Sequence, residues 1–342
     1  MLEPPDIAAA VLGACLRDDF DLHATRVEFL PIGNDVNTAV YRVVADDARP
    51  YFLKLRSGPF PAATVAIPRF LHDAGVAQVI APRMTRAGQL WARVERFAAM
   101  LFPFVAGRNG FAVPLTERQW MELGGTLRKL HDAAIPAALR ADIPMEQYSS
   151  HWRDRARELQ RRVEESVFAD PVAKKMARFL RDKRGDIDRL VSRAGVFADD
   201  LRARTPQQVL CHADIHAANV LIDANGRLFV VDWDTLIFAP KERDLMFIGA
   251  GIGGAWNRAE EQEWFYRGYG ETTVDPVALA YYRHERFVED VVEYGERLLL
   301  TEEGGADRAA GFDKFIAAFL PGDVVEIAFR SDPYPGLNRG NS

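Results

Sequence analysis

Residues 209–234 read VLCHADIHAANVLIDANGRLFVVDWD, and more chemistry is concentrated here than elsewhere in the 342-residue chain. Two apolar runs, Val220 to Ile222 and Leu228 to Val231, flank Asp223-Ala224-Asn225-Gly226. Asn-Gly between strand-like runs is the strongest short-range hairpin signal. A hairpin brings its open ends together, so Asn219 and Asp232 are expected side by side. There an amide oxygen and a carboxylate could hold one hard cation. Asp214, five residues before Asn219, is a candidate base.

The order His212-x-Asp214-x4-Asn219, then a hairpin, then Asp232 matches the catalytic loop and metal aspartate of kinase-type phosphoryl transfer. Upstream, Tyr51 to Arg56 reads as a strand with Phe52, Lys54 and Arg56 on one face and Leu53 and Leu55 on the other. Lys54 is the candidate phosphate-binding lysine. The preceding loop, Pro31 to Thr38, is a candidate phosphate cover, although its single glycine does not make a G-x-G-x-x-G pattern.

Composition narrows the function classes. With 48% apolar residues the chain can bury a sizeable core and suits one large or two medium domains. A net charge of −6 without a long basic run gives no footprint for nucleic acid or an anionic membrane. Two cysteines, Cys15 and Cys211, cannot make a disulfide framework and have no metal-ligand spacing, so a reducing cytoplasm is the expected location. Leu12-Gly13-Ala14-Cys15 looks superficially like a lipoprotein cleavage site, but no Lys or Arg precedes it, and no apolar run approaches a membrane span. His212 and His216 have no third nitrogen or sulfur ligand nearby in sequence, which argues against zinc.

Along the chain, strands are expected at 26–30, 39–44, 51–56, 89–94 and 97–102, with helices at 5–17 and 62–74, the latter interrupted by Pro68. Pro103 to Gly107 reads as a break, which places a boundary between residues 1–105 and 106–342. Beyond it Trp120, Leu123, Leu127 and Leu130 recur at helical spacing. Helices follow at 148–166 and 171–195, and then near 257–269, 276–300 and 307–319. Lys241 to Leu245 opens an apolar helix with Asp244 as a buried-carboxylate candidate.

These motifs resemble the aminoglycoside phosphotransferase family, most closely its spectinomycin phosphotransferase branch, nearly end to end. The residues that carry the resemblance are Phe52 to Arg56, Leu101 to Gly107, Leu127 to His131, His212 to Asn219, Val231 to Asp234, and Arg243 to Leu245. Gly268-Tyr269-Gly270, Tyr281-Tyr282-Arg283 and Phe319 to Ala328 extend it. The resemblance implies an α+β, bilobal, protein-kinase-like fold: a small β-rich nucleotide-binding N-lobe (1–105) and a large, mostly helical C-lobe (106–342) for catalysis and acceptor binding. It further implies ATP and Mg²⁺, with Asp214 as base, Asn219 and Asp232 on the metal, and Lys54 on the α- and β-phosphates. Backbone groups of Phe102, Phe104 and Val105 would hold the adenine, and His212 and Asp244 would fix the catalytic loop.

Two departures stand out. Kinase-like folds pair the strand-three lysine with a helix glutamate, yet Phe60 to Pro68 contains no acid. Either the alignment is displaced, or Asp232 alone orients Lys54, or the lysine is poorly placed. Asp232 and Asp244 are also only twelve positions apart, which leaves no room for an activation segment, so no protein substrate is expected. For the acceptor, Glu285, Glu289, Glu293 and Glu296 fall on one quadrant of the helix near 282–300, with Phe287, Val291, Tyr294 and Leu298 opposite. The quadrant reads first as a solvated stripe, while the family resemblance implies Glu289 and Asp290 as candidate acceptor-binding carboxylates. The leading expectation is an ATP-dependent kinase of an aminoglycoside or aminocyclitol hydroxyl such as that of spectinomycin. The alternatives are a kinase of a small metabolite (choline, homoserine or methylthioribose type) and a nucleotide-binding pseudokinase.

Overall fold

The computed structural model describes residues 3–33, 35, 37–301 and 305–334, so Asn34 and Val36 of the candidate phosphate cover lie outside the described residues. By packing, the chain divides into two units. One is built from Met1–Val113, Ala133–Pro144 and Ala218–Leu236, the other from Pro114–Asp132, Met145–Ala217 and Ile237–Ser342. The expected single cut after residue 105 therefore differs from the packing, which assigns two later segments to the first unit.

In the first unit, α1 (Ala9–Phe20) precedes β1 (Ala24–Leu30), β2 (Thr38–Ala45) and β3 (Pro50–Ser57). Then come α2 (Ala63–Asp73), β4 (Ala92–Val94) and β5 (Phe97–Pro103). The five strands form one antiparallel sheet in the order β1-β2-β3-β5-β4. Period-two alternation drives it: Leu53 and Leu55 of β3 turn into a core with Leu16 and Phe20 of α1 and Leu101 of β5, while Lys54 and Arg56 occupy the other face. Cys15 packs in the same core. The stretch 89–94 yields only the three residues of β4. The helix expected to break at Pro68 runs through it, because buried Val65, Ile67, Pro68 and Leu71 pack well enough to offset one missing backbone bond.

The Asn-Gly hairpin forms as read. Strands β8 (Val220–Asp223) and β9 (Leu228–Val230) pair Val220 with Val230 and Ile222 with Leu228, and Gly226 takes φ 75° at the turn. The hairpin joins the first unit through β6 (Gly107–Asn109), which pairs with β8, and through a bridge between Val79 and Val230. Segment 133–144 joins it because α4 (Ala137–Arg140) packs on α2.

The second unit is mostly helical. It contains α3 (Glu117–His131), α5 (His151–Glu165), α6 (Pro171–Asp182), α7 (Arg184–Arg204) and α8 (Glu242–Leu245), together with α9 (Ala259–Tyr269), α10 (Pro276–Leu300), α11 (Gly305–Ala317) and α12 (Val324–Arg330). Two short strands, β7 (Val209–Cys211) and β10 (Ile237–Ala239), pair antiparallel within it. Its core gathers apolar residues of α5, α6, α7, α10, α11 and α12. The helix expected over 171–195 is two helices, divided at Lys183. Trp120, Leu123, Leu127 and Leu130 of α3 are buried as their spacing requires. Helix α3 lies unusually close to α9: a Cβ on Gly124 would stand 2.2 Å from the Phe265 carbonyl oxygen, and one on Gly268 would stand 2.0 Å from that of Met121. No helix among the described residues is long and apolar enough to cross a membrane.

Candidate active site

In the first unit the strand face that carries Lys54 meets the end of the hairpin. Lys54 Nζ lies 2.7 Å from Asp234 Oδ2 and 3.1 Å from Asp232 Oδ1. Burial disfavours the ammonium, yet the two carboxylates outweigh it and raise the lysine pKa above its ordinary value. So Asp232 does not orient Lys54 alone; Asp234 makes the shorter bond. Arg56, two residues along the same face, donates to that same oxygen of Asp234 at 2.9 Å. Neither Asp234 nor Arg56 was singled out from the sequence as a site residue, although both stand inside the quoted motifs.

Asp232 follows β9 with φ 65°, a left-handed conformation uncommon for a non-glycine residue. Its neighbours hold it there: the Val231 amide donates to the Asn219 carbonyl at 3.0 Å, and buried Trp233 donates its indole N–H to the Val230 carbonyl at 3.2 Å. The backbone bond between Asn219 and Val231 keeps the two hairpin ends together. Asn219 is buried, while the Asp232 side chain is about half exposed. One amide and one carboxylate oxygen, with no nitrogen or sulfur donor, is a set that fits Mg²⁺. Phe102 lies in β5 opposite Phe52, and the Phe104 amide that follows donates to the Pro50 carbonyl at 3.3 Å. Arg42 stacks its guanidinium over the Phe104 ring, and Val105 follows in the same irregular segment.

In the second unit, Asp214 sits in the loop after β7, and the loop's backbone hangs on Asp244. The buried Asp244 carboxylate accepts the His212 amide at 2.9 Å, the Ala213 amide at 2.6 Å and His131 Nε2–H at 3.0 Å, while His131 Nδ1 pairs with the Tyr269 hydroxyl at 2.8 Å. Ala213 has φ 69°, so the carboxylate clamps a turn that alanine rarely adopts. Burial pushes the Asp244 pKa up, but His131, His212 and the amide bonds outweigh it and hold the group ionised below its ordinary value. Cys211 is fully buried beside this cluster, with its thiol pKa pushed well up by burial, as befits a packed residue rather than a nucleophile.

Asp214 itself is mostly buried. Burial raises its pKa, but the hydrogen bond and charge of His216, whose Nε2 lies 3.4 Å from Oδ2, together with the charges of Arg286 and His212, more than reverse this. The carboxylate is held well below the usual range. Arg286 of α10 lies 3.3 Å from Glu289 and 3.5 Å from Asp290. The acidic quadrant of α10 is thus no uniform solvated stripe. Glu285 is buried against Arg153 at 2.6 Å, Glu296 pairs with Arg155, and Glu289 and Asp290 share Arg286 close enough to Asp214 for its charge to be felt. Sequence periodicity could not show this, because Arg153 and Arg155 arrive from α5, more than a hundred residues away.

The model of the phosphotransferase enzyme family (APH) matches residues 28–282. Spectinomycin phosphotransferase APH(9)-Ia, solved in complex with ADP and spectinomycin, is 35% identical, with a TM-score of 0.88 over 96% of this chain and 99% of its own. Its AMP-bound structure aligns with a TM-score of 0.83 over 94% and 98% of the two chains. Protein StrN of Streptomyces griseus is 25% identical over 317 residues, 89% of this chain and 90% of its own. The antiparallel sheet and helical remainder described above are the kinase-like α+β fold of these structures.

Proposed function

Because the chain belongs to the phosphotransferase enzyme family and is a small-molecule kinase, we propose that it transfers the γ-phosphoryl group of ATP to a hydroxyl of a cationic aminocyclitol of the spectinomycin type. The observation that carries the reading is the Lys54–Asp232 pair at 3.1 Å. It sets a largely covered lysine, with its charge secured, beside the carboxylate that the motif assigns to the metal. Phosphoryl transfer asks the protein mainly for positioning and charge neutralisation.

Lys54 holds the α- and β-phosphates, and backbone groups of Phe102, Phe104 and Val105 hold the adenine. Asn219 and Asp232 hold Mg²⁺, which when bound neutralises phosphate charge. Asp214 takes the acceptor's hydroxyl proton as the new P–O bond forms, and the departing ADP keeps the electron pair of the bond that breaks. The acceptor class rests on charge: Asp214, Glu289, Asp290 and Glu293 outnumber the arginines that oppose them, Arg286 and Arg297, and after burial, the larger cause, their mutual repulsion contributes to the raised pKa of Asp290 and Glu293. An ammonium-bearing acceptor relieves that repulsion, with Glu289 and Asp290 as its partners. We place the reaction in the cytoplasm, where ATP is abundant, with no nucleic acid, membrane or protein substrate involved.

The test is coupled ATP turnover with Mg²⁺, comparing spectinomycin, aminoglycosides, choline, homoserine and methylthioribose with a blank lacking acceptor. Stimulation by spectinomycin is expected; stimulation only by one of the metabolites would overturn the acceptor class, and no turnover despite nucleotide binding would favour a pseudokinase. Asp214→Ala should lose about 100-fold or more in kcat while keeping nucleotide affinity, the usual worth of a positioned base.

A further inference from the structure

The acid-free start of α2 raises the question of what replaces the missing carboxylate. The one acid of α2, Asp73 at its last residue, is bound to Arg69 at 2.7 and 2.9 Å. Lys54 instead bonds two residues of the hairpin's exit, and these differ in kind. Asp234 is nearer, at 2.7 against 3.1 Å, and its side chain is 23% exposed against 51% for Asp232. A carboxylate oxygen committed to a divalent cation is a weakened partner for an ammonium, so Asp232 cannot serve both equally.

Asp234 has a second cation. Arg56 Nη1 donates to Asp234 Oδ2 at 2.9 Å, its Nε donates to the Pro59 carbonyl at 3.2 Å, and Nη1 also reaches Asp35 Oδ2 at 3.4 Å. Asp35 in turn accepts the Asn37 amide at 2.9 Å and the Thr38 hydroxyl at 3.0 Å, at the entry to β2. A continuous line therefore runs Asp232, Lys54, Asp234, Arg56, Asp35. With Asp232 given to the metal, Asp234 is the carboxylate that stands between the two cations, and Asp35 lies beyond Arg56. Period-two geometry explains the pairing: residues 54 and 56 share a strand face, so a single carboxylate reaches both.

We propose that Asp234 is the positioning residue for Lys54, doing from the hairpin exit what a helix carboxylate does in other kinase-like folds, with Arg56 fixing Asp234 in turn. The proposal rests on the phosphate-binding reading of Lys54, and the two can fail separately.

The experiment is a double-mutant cycle on ADP affinity, measured by calorimetry on the full chain with Mg²⁺ and again with the metal chelated. Lys54→Met and Asp234→Asn should each weaken ADP binding about tenfold, and the double variant should be no weaker than Lys54→Met alone, because contacting residues are not additive. The coupling should persist without Mg²⁺, and Asp234→Asn should raise the KM for ATP while leaving the acceptor KM unchanged. Additive effects, or an Asp234→Asn effect that vanishes when Mg²⁺ is removed, would overturn the proposal and make Asp234 a metal ligand instead. If Lys54→Met leaves ADP affinity unchanged, the reading beneath the proposal falls first. Should Asp234→Asn not fold, Asp234→Glu, which keeps the charge but displaces it by one methylene, replaces it in the same cycle.

Discussion

A hydroxyl that attacks phosphorus gives up its proton late, so the base that receives it must be placed well and ionised rather than strongly basic. Asp214, the proposed base, is ionised: burial raises its pKa, but His216, Arg286 and His212 more than reverse this. A carboxylate with a depressed pKa stays ionised as pH falls through the ordinary range, so kcat/KM should show no acid limb from Asp214 between pH 5 and 8. His216→Phe removes the principal counterweight to burial, and an acid limb should then move upward, read from the pH profile of the variant. The same sign governs stability. Asp214 and Asp244, both depressed in the folded state, contribute stability that is fully present above the unfolded carboxylate value and is lost as pH falls through their folded values. Asp244→Asn leaves His131 and the Ala213 turn without their anion. A loss of roughly 3 kcal/mol in urea unfolding is expected, since removing one partner of a buried charged cluster exposes the desolvation cost of the other, and turnover should fall with it.

The helix pair α3 and α9 touches backbone to backbone. Glycines at 124 and 268 are what let it do so, because any side chain at 268 would meet the Met121 carbonyl at 2.0 Å, and a carbonyl in a helix cannot step aside. Gly268→Ala should therefore cost roughly 3 kcal/mol, at the upper end of overpacking effects, as read by thermal or urea unfolding. Gly185→Ala, where a Cβ meets nothing within 4 Å, is the control and should cost nothing measurable. This pair shows where sequence reading reached and stopped. The Gly-Tyr-Gly at 268–270 was visible as a resemblance, but its reason lies in Met121, a residue of another helix. Local patterns were the legible part: the Asn-Gly turn, the alternation of β3 and the spacing of α3 each depend on neighbours in the chain. The division at Lys183 was not legible, since apolar periodicity continues across it. Likewise Glu285 looked solvated because its partner Arg153 sits 132 residues away. Asp234 lay in plain view in the quoted stretch, yet only its distance to Lys54 distinguishes it from an ordinary surface acid.

At the scale of the molecule, each unit has its own apolar core and each buries one of the chain's two cysteines: Cys15 in the first, Cys211 in the second. Neither thiol is in an environment that favours thiolate, for burial and nearby aspartates push Cys15 up to about 12, and burial pushes Cys211 well up. Folded protein should thus react with a thiol reagent at a small fraction of the rate of denatured chain, and what reaction there is must pass through transient opening. The two sulfurs are in effect a pair of built-in clocks, one ticking for each half. Peptide-resolved alkylation timed at several temperatures would give separate opening rates for the two halves without any engineered label. Saturating nucleotide should slow the Cys15 clock, because a ligand that binds only the closed form lowers the population of the open one. Unchanged Cys15 labelling at saturating ADP would mean that this half opens locally around α1 with the nucleotide still in place.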